Sequence, residues 1–244
     1  SLTSMSMSLT RVFAPAAAGV LAGVAVVGIG GAYLVASVFS AVSTFLTMRL
    51  PKLEPVNPSR KHPFAEIIDG LRYVRGERDL RRLIMTTILA IMIGFNYVAF
   101  LPALVEGDLG LSESHVGFLT TASAIGAVAI TAFVASRADG PGSSRLMIGC
   151  GLAFGLGVVC FGLARNYLLA LLIIAVLGLS TNGFMVLTSS RSMAISSPSH
   201  HGRVQSLMQL AWAGFGIAAA PLGALAEIIG LRVTIVAMGI VTFC

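Results

Sequence analysis

The 244 residues are 56% hydrophobic and only 11% charged, with a formal net charge of +6 and a mean hydropathy of +0.92. A soluble chain usually carries charge on about a quarter of its residues, so this composition excludes an ordinary water-soluble domain and belongs in lipid. Apolar runs of about 20 residues recur, each long enough to cross a hydrocarbon layer of roughly 30 Å as a helix. The sequence therefore reads as an all-α polytopic membrane protein.

Charged and turn-forming borders place the runs. Val12 to Val27 follows Arg11 and ends at the GIGG stretch Gly28 to Gly31, expected to be a tight turn; Ala32 to Met48 follows and stops at Arg49, Pro51 and Lys52. Next comes a charged island, and then Leu83 to Leu104, Val116 to Ser136, Leu146 to Ala164, Leu168 to Ser190, Val204 to Ile229 and the start of a last run, Val233 to Cys244. Eight helices are expected, the eighth cut short. The chain starts at Ser1 without Met and stops soon after the eighth run begins, which reads as a fragment without a signal peptide.

Within the island, Phe64, Ile67, Ile68 and Leu71 fall at i, i+3, i+4 and i+7, predicting a short amphipathic helix at the membrane surface. The acids Glu66, Asp69, Glu77 and Asp79 nearly neutralise its middle, which favours a solvated linker over a partner- or lipid-binding element. Nine of the sixteen basic residues lie between Arg49 and Arg82. Because Lys and Arg bias loops toward the cytoplasm, this loop is expected inside. Alternation then puts Arg137, Arg145, Arg191 and Arg203 on the same side and Arg165 and Arg232 outside. Helix one (SLTSMSMSLTRVFAPAAAGVLA) and helix seven (SLMQLAWAGFGIAAAPLGALA) both begin Ser-Leu and reach Ala-Pro at Ala14-Pro15 and Ala220-Pro221. Similar helices six apart are what a six-plus-six duplication leaves.

The island EIIDGLRYVRGERDLRRL, the helix NYVAFLPALVEGDLGLS, the segment HVGFLTTASAIGAVAITAFVASRADG and the HGRVQSL and APLGALAEIIGLR stretches resemble the second half of a major facilitator superfamily transporter, of the bacterial drug and siderophore exporter type. The resemblance implies a major facilitator fold fragment covering about helices 5 to 12 of 12. Residues 1–49 would be the last two helices of the N-terminal half, 50–82 the cytoplasmic central loop, and 83–244 the C-terminal six-helix half. It also implies conformational motifs. Asp139, Gly142 and Arg145 match the cytoplasmic motif between helices eight and nine, with Ala135 and Gly140 as departures. Pro15 and Gly19 remain from the exporter motif of helix five, with Ala14 and Ala18 replacing glycines.

The resemblance implies, too, a central cavity lined by helices five, seven and ten. Arg11 in helix five is either a contact to an anionic substrate or an arginine at the membrane surface. Asn96 and Tyr97, in what would be the family's seventh helix of twelve, and Asn182, in its tenth, are cavity candidates. Gln205, Gln209 and Trp212 in helix eleven share one face at i, i+4 and i+7, which suits an aromatic or amphipathic solute. Interhelical bonding is the competing reading of each. Gly19 and Gly23, and Gly151 and Gly155, are spaced to let helices approach.

No G-x-x-x-x-G-K-[ST] occurs, so an ion gradient, proton or other, is expected to drive transport. Glu227, near the outer end of its helix, reads as an interface residue before a coupling one. No nucleophile-base or metal constellation occurs in the spans, so no catalytic residue, cofactor or metal site is expected. Cys150 and Cys160 are core thiols too far apart on one helix to pair, and His200 and His201 are loop residues. The expected partners are the lipid bilayer, a small-molecule substrate and the coupling ion, with no nucleic acid and a monomeric carrier in a bacterial inner membrane. A channel, a scaffold or an inactive remnant are the alternatives. Arg11→Ala is expected to cut efflux while membrane abundance, read by immunoblot, stays intact; unchanged efflux would place Arg11 at the surface.

Overall fold

The computed structural model describes residues 28–49, 63–112, 114–135, 140, 142–197 and 200–243. Among them there is no strand. Helix α1 is Gly28–Met48, α2 Pro63–Gly76, α3 Arg78–Met92, α4 Ser114–Ala135, α5 Ser143–Leu163, α6 Tyr167–Ile195, α7 His201–Ile229 and α8 Leu231–Phe243. The first expected span, with Arg11, Pro15 and Gly19, lies outside the described residues, and so does Asp139. Gly142 and Arg145 are both exposed at the start of α5, Gly142 as its N-cap residue.

Two sequence expectations shift. GIGG is not a turn: it forms the first turn of α1, as glycine is well tolerated in apolar membrane helices. His201 is the first residue of α7 rather than a loop residue, with His200 as its N-cap. The island helix exists, and the side it turns toward the protein is not its apolar one. Gly70 and Val74 face the protein, while Ile68 and Leu71 are 56% and 53% exposed. The reason is steric: a Cβ at Gly70 would sit 3.2 Å from Arg203 Cβ, so the small face lets α2 lie against α7.

The stretches 78–108, 143–163, 167–195 and 201–229 are long and apolar enough to cross a membrane. Helices α4 and α8 carry shorter apolar segments. Outward-facing side chains such as Phe118, Ile125, Leu156, Leu172 and Ile240 are more than half exposed, the pattern of a bundle whose solvent is hydrocarbon. Inside, Tyr97, Phe154, Phe161, Ile174, Leu177 and Met238 belong to one core that joins α3, α5, α6 and α8. A smaller cluster of Val74, Leu80, Ile84, Val204 and Leu207 ties α2, α3 and α7 at the basic end.

The most extensive pairings, α4 with α6 and α5 with α8, rest on backbone approach. Between apolar helices in lipid there is little hydrophobic drive, so dispersion at short range carries association. A Cβ on Gly178 would lie 1.9 Å from the Ser123 carbonyl oxygen, and one on Gly126 2.0 Å from that of Ala175. The two glycines thus serve the same crossing from opposite sides.

At the end opposite α2, Arg232 ties three elements. Its Nε is 2.7 Å from Asp108, and its Nη1 donates to the carbonyls of Gly162 and Ala164 at the end of α5. These carbonyls have no partner within the helix, and a cation there also meets the negative end of its dipole. Nearby, the Tyr167 hydroxyl donates to the His115 carbonyl at 3.1 Å, joining the first turns of α4 and α6.

Gly178→Ala is expected to lower the melting temperature in detergent, with a cost of about 1–3 kcal/mol from overpacking. Gly149→Ala, where a Cβ meets nothing within 4 Å, should leave it unchanged.

Candidate functional site

The span that begins with α3 does not stay α-helical. After Met92 it tightens into a 3-10 segment, Gly94–Phe100, takes one α turn at Leu101–Ala103 and ends in a π turn, Leu104–Asp108. Irregular backbone at membrane depth persists only where its polar groups are satisfied or face water. Pro102 withholds an N–H from the Val98 carbonyl four residues back, and Gly94 lets the broken segment pack closely, since a Cβ there would be 2.7 Å from Thr242 Oγ1 and 2.9 Å from Phe154.

Asn96 supplies the missing hydrogen bond. Its backbone N–H donates to the Ile93 carbonyl, three residues back, leaving the Met92 carbonyl without its usual i+4 donor. The Asn96 side chain fills that vacancy: Nδ2 donates to Met92 O at 2.6 Å and to Phe215 O on α7 at 3.3 Å. The residue is fully buried, and its Oδ1 has no hydrogen-bond partner among the described residues. Thr181 Oγ1 and Thr188 Oγ1, on one face of α6, share that condition. A buried acceptor without a donor costs roughly 1–3 kcal/mol.

Around this break lies an aromatic group. Phe95 meets Trp212 edge to face at 5.0 Å, Phe215 at 6.1 Å and Tyr97 at 6.2 Å between ring centroids. Tyr97 is itself buried against Phe154 and Phe161. Edge-to-face pairs add about 0.5–1.5 kcal/mol beyond area burial, so this cluster fixes where α3 crosses α7.

Helix α7 divides into three faces. Val204, Leu207, Met208, Ala211 and Ala218 are buried. Leu210, Ile217 and Ile228, at 55%, 73% and 80% exposure, form an apolar outer face. Between the two runs a third stripe of Gln205, Gln209, Trp212, Gly216, Gly223 and Glu227, in which both glutamines, Gly216 and Glu227 are exposed. Its length along the helix, with amides at one end and a carboxylate at the other, distinguishes it from a lipid-facing surface.

The sequence candidates therefore separate. Asn96 and Trp212 come together at the α3–α7 crossing, and Gln205 and Gln209 extend from it toward the α2 end, whereas Tyr97 turns toward Phe154 and Phe161 on α5. Asn182 does not join them: its Nδ2 donates to Ala127 O at 2.9 Å and Thr131 Oγ1 at 2.6 Å, which holds α6 against α4. Phe95 and Phe215 are additions. Phe215 follows Trp212 by three residues on the helix, a spacing that could have found it; Phe95 becomes visible only once the 3-10 turn is known. Among the described residues no group of His, Cys, Asp or Glu could hold a metal ion.

A family model described as Major Facilitator Superfamily matches residues 83–244. No curated protein and no solved structure gives a significant match.

Asn96→Leu is expected to destabilise the protein by about 1–3 kcal/mol, because it strands the buried Met92 carbonyl. Gln209→Ala, on the exposed stripe, should leave the melting temperature within a degree or so, the usual behaviour of a surface change; thermal unfolding in detergent reads both.

Proposed function

The chain belongs to the major facilitator superfamily, and from that premise we propose that it exports a small amphipathic compound against its gradient, driven by protons or another ion. It is an integral membrane protein and a secondary transporter. On our reading residues 83–244 are the C-terminal six-helix half, 50–82 the cytoplasmic tether and 1–49 the end of the N-terminal half. The two halves rock about a site near mid-membrane.

The observation that carries the reading is the crossing of the broken α3 by the polar stripe of α7. The edge-to-face aromatic group at the break, beside the exposed amides of Gln205 and Gln209, supplies what an amphipathic solute needs: flat apolar contact plus a few directional polar groups. The described part of this wall has no basic residue, and the acid Glu227 lies at its far end. A neutral or cationic solute therefore fits it better than an anion. Arg11 would then serve the other half of the cavity or the membrane surface.

In proteoliposomes with an imposed pH gradient, the planar cation ethidium should move saturably, and the flux should vanish when a protonophore collapses the gradient. Trp212→Ala should lower that flux severalfold, in line with losing an aromatic contact worth about 0.5–1.5 kcal/mol. Flux that is linear in ethidium, or indifferent to the gradient, would favour a channel and overturn the reading.

A further inference from the structure

The exposed face of α2 is not neutral. About 100° separates successive residues on a helix, so Ile68, Leu71, Arg72 and Arg75 share one side, away from the buried Gly70 and Val74. All four are exposed. Asp69 and Glu77 line one concavity with Arg72, whereas Arg75, about 120° from Asp69 around the helix, lies beside Ile68 and Leu71 with no described acid of α2 next to it.

This face is held in place from behind. Tyr73 stacks on His200, centroids 4.0 Å apart and planes within 11°, and the Ser197 N–H donates to the Tyr73 hydroxyl at 3.0 Å. After the single extended residue Glu77, the chain enters the membrane-crossing stretch 78–108. Arg81 reaches back to donate to the Arg75 carbonyl at 3.1 Å. Arg78 and Arg82 are exposed as well, and among the described residues neither they nor Arg72 and Arg75 form an ion pair.

We infer that α2 is an anionic-phospholipid binding element: Ile68 and Leu71 enter the headgroup boundary while Arg72 and Arg75, supported by the arginines that open α3, engage lipid phosphates. Two features select lipid over water or another protein surface. Guanidinium groups without an ion-pair partner among the described residues flank exposed aliphatic side chains, as in helices that lie in a bilayer interface. The helix also sits at the mouth of a span, where its outer face and the headgroup layer come to one level. Bound lipid would fix α2, and through Tyr73 and His200 the first turn of α7, so that the headgroup composition of the leaflet bears on the helix that carries the polar stripe.

The test uses the full chain with Trp212→Phe and Leu71→Trp, giving one indole at the α2 face, reconstituted with brominated phosphatidylcholine alone or mixed with phosphatidylglycerol. Bromolipid should quench this indole in the anionic vesicles and less in the neutral ones. Adding Arg72→Gln and Arg75→Gln should weaken the lipid association by about fivefold per arginine. Quenching that is equal in both vesicles, or unaffected by the two Gln changes, would overturn anionic recognition. Quenching by aqueous iodide but not bromolipid would make α2 a solvated linker, and protection from both would mean that protein covers it; either result sinks the inference.

Discussion

Inside a bilayer a polar group must find its partner within the protein, and much of this bundle's architecture answers that constraint. Regular helices satisfy it automatically. Where the span beginning with α3 departs from the α-helix, Asn96 supplies the donor that its own backbone no longer gives to Met92, and the same amide reaches Phe215 on the neighbouring helix. The break and the α3–α7 contact are thus one structural solution. Arg232 plays the corresponding part at the end opposite α2, donating to the last carbonyls of α5 while paired with Asp108.

The second organising element is small side chains at crossings. Gly126 and Gly178 bring α4 and α6 to backbone contact, and Gly239 does the same for α8, where a Cβ would lie 2.5 Å from the Val159 nitrogen on α5. Such crossings make two tight pairs, α4 with α6 and α5 with α8. By contrast α7 is lightly covered, with two of its three faces open among the described residues. A carrier that rocks needs rigid pieces and a surface along which they separate. On the rocking reading proposed above, the tight pairs would be the rigid pieces and the open stripe of α7 the surface along which they separate.

Much of the fold was legible because hydropathy and charge report directly on spans. Leu146 to Ala164 and Val204 to Ile229 differ from the observed helices by only a few residues at their starts. What escaped was whatever depends on a neighbour. The α3 break has one local mark, Pro102, which has no N–H for the Val98 carbonyl four residues back; Gly94, one of 27 glycines, marks nothing by itself. The apolar positions of α2 were read correctly as a face, but which side meets protein was decided by Gly70 against Arg203. Asn182 and Asn96 looked equivalent in sequence. One turned out to bind a neighbouring helix through Thr131, and the other to keep a free acceptor.

The three faces of α7 also limit how that helix moves. Turning it about its own axis by one residue's angle would bring Gln205 and Gln209 onto the side now held by Leu210 and Ile217, exposing amides to hydrocarbon and burying aliphatic side chains against the polar space. Each displaced amide would lack a donor or acceptor in lipid, a cost of several kcal/mol. The partition of side chains thus acts as a rotational lock. It leaves tilting and sliding along the α3 contact as the low-energy movements of α7, with Phe95, Trp212 and Phe215 as the pivot.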